Sequence, residues 1–400
     1  MASWLYFLVP ALGGYSVASY FLLKNPHVLH RRKHKAFTCT HISHRGGCGE
    51  RIESTMEAFT HAVDQGTEML ELDCHLTKDG HVVVSHDENL LRQTGHDVTI
   101  SSLNFQELPL YKERLEVTFK TGEFSSGSDR KFTLLEEVFR RFPQMPVNIE
   151  VKENNPVLID KVSVLVKQYD REQLTVWATT SSGIMKLCRD TNSSMPYMFT
   201  VSRGLQLLLL FYCGLLPFVP LGESFLQFYL PRIFNRTFLP ESRILRNKVV
   251  VSLIEKLTMR KSLFDHLVKR GIQVHLFVCN TDDDIAAAFA AGATGVMSDY
   301  PTLLANYLHT HTHTHTYTEP TQRSSPTTYT HTHTLTHTHT HRSYPTLLTN
   351  YLHTHTHSHT HTHRAYPTLL ANYLHTHSPM LITSTLITHC LQTHPDLRCT

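Results

Sequence analysis

The sequence predicts a TIM (β/α)8 barrel, a member of the α/β fold class, over residues 36–308. The first observation is an alternation of short apolar runs with amphipathic helical stretches, which implies parallel strands joined by helices. The second is length, because about eight such units in roughly 270 residues match the usual size of this barrel. A doubly wound open sheet is the second choice, since no GxGxxG motif follows the first predicted strand.

Each predicted element follows from the local spacing of apolar residues. In one helical stretch Leu263 and Leu267 lie four residues apart, and Phe264 and Val268 lie beside them on the same face. The predicted strands are Thr40–His44, Met69–His75 with Val82–Ser85, Val147–Val151, Leu174–Thr179, Tyr197–Val201, Val249–Ile254, Ile272–Val278 and Thr294–Met297. The predicted helices are Thr55–Asp64, Leu134–Phe142, Leu158–Tyr169, Ile184–Asp190, Ser262–Arg270 and Asp283–Ala290.

The N-terminal segment, residues 1–35, is predicted to be a transmembrane anchor with a basic flank. Ser3–Leu23 is a run of 21 residues without a charged side chain, long enough to span a bilayer as a helix. Basic residues follow it from Lys24 onward, and such residues stay on the cytoplasmic side. We therefore expect the barrel in the cytosol, where its cysteines are reduced. A cleaved secretory signal is the alternative.

The last segment, residues 309–400, belongs to a different compositional class. It holds 19 of the 31 histidines but only six charged residues, and it repeats Thr-His almost without interruption. A DNA repeat of ACACAC, translated in frame, would encode alternating threonine and histidine. We therefore expect a disordered tail that has no catalytic role. Histidine tracts also bind metals, and a metal-binding tail therefore stays open as the alternative.

The overall composition excludes several broad classes of protein. A net charge of +3 with interspersed signs gives no extended basic surface, so no nucleic-acid partner is expected. The eight cysteines are scattered and form no CxxC pair, which argues against a disulfide scaffold and against structural zinc. Nothing in the sequence indicates an obligate protein partner.

Charged side chains stand at the ends of three consecutive predicted strands, where a TIM barrel carries its chemistry. Strand alternation sends Glu71 and Asp73 to one side of a strand, and it does the same for Glu150 and Lys152. The other residues of the group are His44, Arg45 and His86. Carboxylates suit Mg²⁺ or Ca²⁺, a guanidinium suits phosphate, and two histidines can act as base and acid. The group predicts metal-assisted phosphodiester hydrolysis, although each residue alone could make a structural ion pair.

Longer motifs around these residues resemble the glycerophosphodiester phosphodiesterase family, and in particular its membrane-anchored branch. The motifs are HRGG at 44–47, ELDCHLTKDGHVVVSHDENL at 71–90, NIEVK at 148–152 and GATGVMSDYP at 292–301. The resemblance extends from about His41 to Leu308. It implies a TIM barrel that holds one divalent cation, Mg²⁺ or Ca²⁺.

The same resemblance implies roles for individual residues. His44 and His86 match the family's catalytic pair, and Arg45 and Lys152 match positions that bind the substrate phosphate. Glu53 matches the acidic residue of a further family motif and is expected to contribute to the site. The implied metal ligands are Glu71, Asp73, Glu150 and, on or near the metal, His86.

The resemblance also implies a reaction. Members of this branch act as lysophospholipases D, which release choline, ethanolamine or an N-acylethanolamine from a membrane lysophospholipid and leave lysophosphatidic acid. The expected location is the endoplasmic-reticulum or perinuclear membrane. The nucleophile stays open between water and the substrate's own glycerol hydroxyl. Two alternatives remain, namely hydrolysis of water-soluble deacylated diesters and a non-catalytic membrane or metal-binding protein.

One uncharged segment, Leu205–Leu221, lies where the helix after the fifth strand is expected. Outer helices of a barrel normally keep a polar face, and this segment lacks one. Gly214, Pro217 and Pro220 interrupt it, so a straight membrane span is disfavoured. We expect a membrane-dipping element that forms a lipid entry surface beside the site. A buried barrel helix is the alternative.

Overall fold

A computed structural model describes residues 5–311, and these residues form a parallel barrel of the predicted class. The Thr-His tail beyond residue 311 lies outside the described residues. The barrel strands are almost wholly buried, as is typical of parallel strands covered by helices. The strands are β1 (His41–Ser43), β2 (Met69–Leu76), β3 (Val82–Val84), β4 (Arg114–Glu116), β5 (Phe124–Ser126), β6 (Thr133–Leu134), β7 (Val147–Glu150), β8 (Thr175–Ala178), β9 (Phe225–Tyr229), β10 (Gln273–Phe277) and β11 (Gly295–Ser298).

The barrel wall runs through parallel pairs in the order β9, β10, β11, β1, β2, β7 and β8. The fifth strand of the barrel wall has no β number because it is only two residues long, Tyr197 and Met198, and it closes the ring. Tyr197 bridges to Trp177 of β8, and Met198 bridges to Phe225 of β9. Strands β3 and β6 extend β2 by antiparallel pairing, and β4 and β5 form a separate hairpin. The predicted TIM barrel is therefore confirmed.

Helices cover the outside of the barrel. Local chemistry sets where they begin, since the Thr55 hydroxyl accepts from the Ala58 amide at 3.1 Å and Asn155 caps its helix just before Pro156. The helices are α1 (Leu5–Lys24), α2 (Met56–Asp64), α3 (Leu91–Thr94), α4 (Leu135–Arg141), α5 (Pro156–Gln168), α6 (Ser182–Thr191), α7 (Val201–Tyr212), α8 (Lys248–Thr258), α9 (Lys261–Lys269), α10 (Asp282–Ala291) and α11 (Pro301–His311).

The prediction of a strand at Val249–Ile254 is wrong, because this segment lies within α8. Its buried residues Val251, Ile254 and Thr258 recur at intervals of three and four, which is the period of a helix. The side chain of Asn247 accepts hydrogen bonds from the first amides and starts the helix. The β-branched run concealed this pattern. The sixth barrel strand is β9, which the sequence reading missed.

The predicted strand Tyr197–Val201 is also shorter than expected. After Met198 the Phe199 amide still donates to the Phe225 carbonyl at 2.9 Å, but the Val201 amide donates to Thr180. This bond turns the chain away from the sheet, and α7 begins at once. Between β8 and β9 the barrel wall therefore consists of a strand much shorter than its neighbours.

Helix α1 is the one helix among residues 5–311 that is long and apolar enough to cross a membrane, judged by length and composition. It also contacts the helices around the barrel. The Ser19 hydroxyl donates to the Gly214 carbonyl at 2.6 Å, and the His266 ring lies 2.8 Å from the Leu23 carbonyl. The base of the predicted anchor is therefore joined to the barrel by specific hydrogen bonds.

Candidate active site

Three carboxylates meet at the carboxyl ends of β2 and β7. The strand register pairs Asp73 with Glu150, and Glu71 precedes Asp73 by two residues on the same face. One oxygen atom of each side chain lies within 4.8 Å of the others. Burial, reinforced by the charge of Asp73, raises the pKa of Glu71 to about 7. The site thus concentrates negative charge away from water.

This carboxylate group has the chemistry of a divalent-cation site. Asp73 Oδ2 is buried and accepts no hydrogen bond from the described residues, whereas Lys152 Nζ lies 3.0 Å from Asp73 Oδ1. Three carboxylates beside one lysine leave an excess of negative charge, which a hard cation would neutralise. The structure brings together Glu71, Asp73 and Glu150 of the four predicted ligands. His86 lines the same cleft, and its role as a ligand stays a prediction.

His44 is held by a buried carboxylate that the sequence reading did not single out. Its Nδ1 atom lies 2.6 Å from Asp299 Oδ1, just after β11. Asn280 donates to Asp299 Oδ2 at 2.7 Å, and the Cys48 thiol donates to Oδ1 at 2.9 Å. Burial alone would lower the pKa of His44, but the charge and hydrogen bond of Asp299 outweigh it and raise that pKa. Asp299 therefore fixes the ring and favours its charged form.

Arg45 is fixed by its backbone and by a second buried acid. Its φ of +49° is unusual for a residue with a side chain, and its amide donates to Glu71 at 2.9 Å. Its guanidinium donates to Glu53 at 3.3 Å, and Glu53 also accepts from Arg92 at 2.6 Å and from Gln93 at 2.8 Å. Burial would raise the pKa of Glu53, yet the two arginines hold it well below its usual range. Glu53 therefore orients Arg45.

His86 lies just after β3 and faces the same cleft. Its Nδ1 atom lies 2.6 Å from Asp87 Oδ1, and Arg92 donates to the other oxygen of Asp87 at 2.7 Å. Burial would raise the pKa of Asp87, but Arg92 outweighs burial and lowers it. Each predicted catalytic histidine therefore has a carboxylate at Nδ1, an arrangement that orients the ring and supports proton transfer.

The polar groups line one end of a cleft whose other walls are apolar. Seven of the predicted site residues line it, and Glu53 lies behind them through its bond to Arg45. Phe119, from the insertion between β3 and β6, stands edge-on to His44 with ring centres 5.5 Å apart. The apolar walls include Met198, Phe199, Leu205, Leu208, Leu226 and Phe228. The cleft therefore offers a charged end and a long apolar continuation.

Comparison with known proteins identifies the family. Residues 44–303 match the glycerophosphoryl diester phosphodiesterase family. The chain belongs to this family. Human lysophospholipase D GDPD3 is 48% identical to it over 308 residues, which is 77% of this chain and 97% of the relative. Human lysophospholipase D GDPD1 is 51% identical over 304 residues, which is 76% of this chain and 97% of the relative.

Solved structures of glycerophosphoryl diester phosphodiesterases share the fold. The crystal structure of such a domain from Mycobacterium tuberculosis superposes with a TM-score of 0.52 at 17% identity, and the match covers 68% of this chain and 100% of that domain. At this identity the likeness extends to the barrel alone.

Several residues of this phosphodiesterase-family site were not found from the sequence. Asp299 ends β11, so the rule that barrel chemistry lies at strand ends could have found it. Arg92 and Gln93 lie on the short helix α3 and carry no comparable signal. Phe119 lies in the insertion, whose path over the barrel the sequence does not specify.

Proposed function

We propose that the protein is a metal-dependent lysophospholipase D. It would hydrolyse a lysoglycerophospholipid to lysophosphatidic acid and release choline, ethanolamine or an N-acylethanolamine. The observation that carries the proposal is the cleft, which joins buried carboxylates and histidines to a long apolar wall. Such a cleft suits a substrate with both a phosphodiester and a hydrocarbon chain. The names of the human relatives, at 48% and 51% identity, support the same reaction.

The proposal gives each polar residue a task. Arg45 and Lys152 bind the phosphate oxygens, and Glu53 keeps the guanidinium of Arg45 in place. One of His44 and His86 takes a proton from water as the water oxygen bonds to phosphorus. The other histidine gives a proton to the head-group oxygen as its bond to phosphorus breaks. If the glycerol hydroxyl attacks instead, the same two histidines serve and a cyclic phosphate forms first.

A single Mg²⁺ or Ca²⁺ completes the proposed site. Glu71, Asp73 and Glu150 would hold it, with His86 beside or on it. When bound, the cation would neutralise charge on the phosphate. The carboxylates alone would repel an anionic substrate, which is why the proposal requires the metal.

The proposal places the barrel at a membrane. Helix α1 would span the bilayer with its N-terminus on the far side and the domain in the cytosol, at the endoplasmic reticulum or perinuclear membrane. The apolar helix and the basic residues from Lys24 onward support this orientation. The catalytic unit would be residues 36–308, and the Thr-His segment 309–400 would be dispensable.

Substrate comparison tests the proposal. The full-length protein in detergent should release choline from palmitoyl lysophosphatidylcholine faster than from glycerophosphocholine. EDTA should abolish release, and Mg²⁺ or Ca²⁺ should restore it. Faster hydrolysis of glycerophosphocholine would instead support water-soluble deacylated diesters as the substrates. If neither compound is hydrolysed, the result would support a non-catalytic protein.

Two substitutions locate the reaction. His44→Ala and His86→Ala should each reduce turnover to background with an unchanged circular dichroism spectrum, because each removes one proton-transfer group. His81→Ala is the matched control, since this histidine is half exposed and does not line the cleft. Near-normal turnover in either active-site variant would contradict the assignment.

A further inference from the structure

The barrel wall has a lateral gap beside β9. All five residues of β9 pair with β10 on one edge. On the other edge, the bonds from described residues are the Met198 bridge and the Phe199 amide, and both reach Phe225. From Leu226 to Phe228 no strand among the described residues pairs with this edge, and residues of α7 line the same cleft. The interior of the barrel can communicate there with the space beneath the outer helices.

The cleft described above continues through this gap. Val201, Gly204, Leu205 and Leu208 of α7 line it, and their spacing of three and four places them on one helical face. Gln227 accepts a hydrogen bond from Asn148 across the barrel interior, so its side chain points inward. Because side chains alternate along a strand, Leu226 and Phe228 point outward, and both line the cleft. The outer part of the cleft thus lies between the β9 wall and α7, and we call it the outer arm. Leu263 and Phe264 of α9 form its far side.

Gly204 lines the cleft without a side chain, so α7 takes up the least possible space at this position. A Cβ atom built at Gly204 meets no atom within 4 Å, so the side chain that is missing there leaves open space. Its φ is not in the left-handed region, so the backbone does not require glycine. A glycine inside a helix costs about 1 kcal/mol relative to alanine. Glycine at this position therefore makes α7 less stable than alanine would, and it leaves the cleft wider.

The end of α7, the helix that lines this arm, contacts α1. The Tyr15 hydroxyl donates to the Cys213 carbonyl and the Ser19 hydroxyl donates to Gly214, just after the end of α7. Ser19 and Tyr15 precede Lys24 by five and nine residues, which is about 8 and 14 Å along a helix. If Lys24 marks the membrane surface, the end of α7 lies at the depth of the lipid chains in the cytosolic leaflet. A lipid chain in this leaflet would then lie beside the end of the helix that lines the arm.

We propose that this arm, lined by Gly204, Leu205, Leu208, Leu226 and Phe228, binds the acyl chain of the lysolipid, and that the missing side chain at Gly204 keeps the arm open to a long chain. The inference rests on the proposed function, because it places the chain of that same substrate. The phosphodiester would lie at the carboxylate end, and the chain would pass through the gap between β8 and β9.

Filling the arm at Gly204 tests this inference. Gly204→Leu and Gly204→Phe should shorten it by several methylene groups, and each methylene that leaves a buried site costs roughly fourfold in affinity. The ratio of kcat/KM for palmitoyl over hexanoyl lysophosphatidylcholine should fall by more than tenfold, and further for phenylalanine than for leucine. Gly183→Leu is the matched control, because it places leucine at an exposed helical glycine of α6 and should keep the wild-type ratio.

The outcomes separate the two proposals. If the wild type cleaves no lysolipid, the proposed function fails and the acyl site fails with it. If the wild type cleaves lysolipid and the Gly204 variants keep its chain-length ratio, the acyl site alone is overturned. An equal fall in Gly183→Leu would overturn it as well. Should the Gly204 variants not fold, Leu205→Trp narrows the same arm, and an unchanged ratio in that variant is equally decisive.

Discussion

Replacing Asp299 by asparagine removes the charge that holds His44 and keeps the size of the side chain. Asp299 is wholly buried and accepts from His44, Asn280 and Cys48. An amide in its place presents one NH₂ group, which must face either the imidazole or the Asn280 amide, both of which donate to the carboxylate. The ring of His44 therefore loses a charged acceptor, and its preferred tautomer changes if the NH₂ group faces the imidazole.

The size of the effect follows from the bond that is lost. A buried hydrogen bond to a charged group contributes about 1.5–3 kcal/mol. If this energy stabilises the charged ring of His44 during proton transfer, kcat should fall about 10- to 150-fold. KM should change less than threefold, because Asp299 does not line the cleft.

The assay is steady-state hydrolysis of palmitoyl lysophosphatidylcholine, with thermal unfolding measured alongside. Asp284→Asn is the matched control, because Asp284 is equally buried but pairs with Arg236 instead of His44. It should lower Tm and leave kcat near the wild-type value. A kcat of Asp299→Asn within twofold of the wild type, or an equal loss of kcat in both variants, would refute this role of Asp299.

Three further predictions concern other buried groups. Glu71→Gln should abolish activity but raise the Tm measured in EDTA, because it neutralises one of three mutually repelling carboxylates; a lower Tm contradicts this. Glu53→Gln should destabilise the fold by about 3–5 kcal/mol in denaturant titrations and raise KM, since Arg45 and Arg92 lose their shared partner; an unchanged KM would show that Glu53 does not position Arg45. Burial lowers the pKa of His266 from 6.5 to about 4, so the unfolded chain binds the proton more readily between these values. Stability should therefore be lost as the pH falls through this window, by up to about 3 kcal/mol, and His266→Gln should flatten that part of the pH–stability curve; an unchanged slope contradicts the assignment.

Much of the barrel and its polar end could be predicted because both leave local patterns. Glu71 and Asp73 alternate on one strand, and parallel neighbours bring Glu150 beside them at the same level. His44 and His86 stand at strand ends, where barrel chemistry lies. The clustering of these residues follows from topology alone.

The rest depended on tertiary packing. The run at Val249–Ile254 has the composition of a strand, but one face of it packs as a helix. The fifth strand is cut to two residues by a bond from Val201 to Thr180, and sequence periodicity does not encode such a bond. The apolar segment after it forms α7, and its role as a lipid entry element stays a prediction. The open space at Gly204 could be found only from the packed structure.

The central claim is that the charged end of this cleft cleaves the head-group bond of a lysolipid. Mass spectrometry of the products from palmitoyl lysophosphatidylcholine tests it most directly, with the full-length protein and Mg²⁺ or Ca²⁺. We expect palmitoyl lysophosphatidic acid and free choline in equal amounts, and neither product from His86→Ala. Release of palmitic acid with glycerophosphocholine, or equal product from His86→Ala, would contradict it.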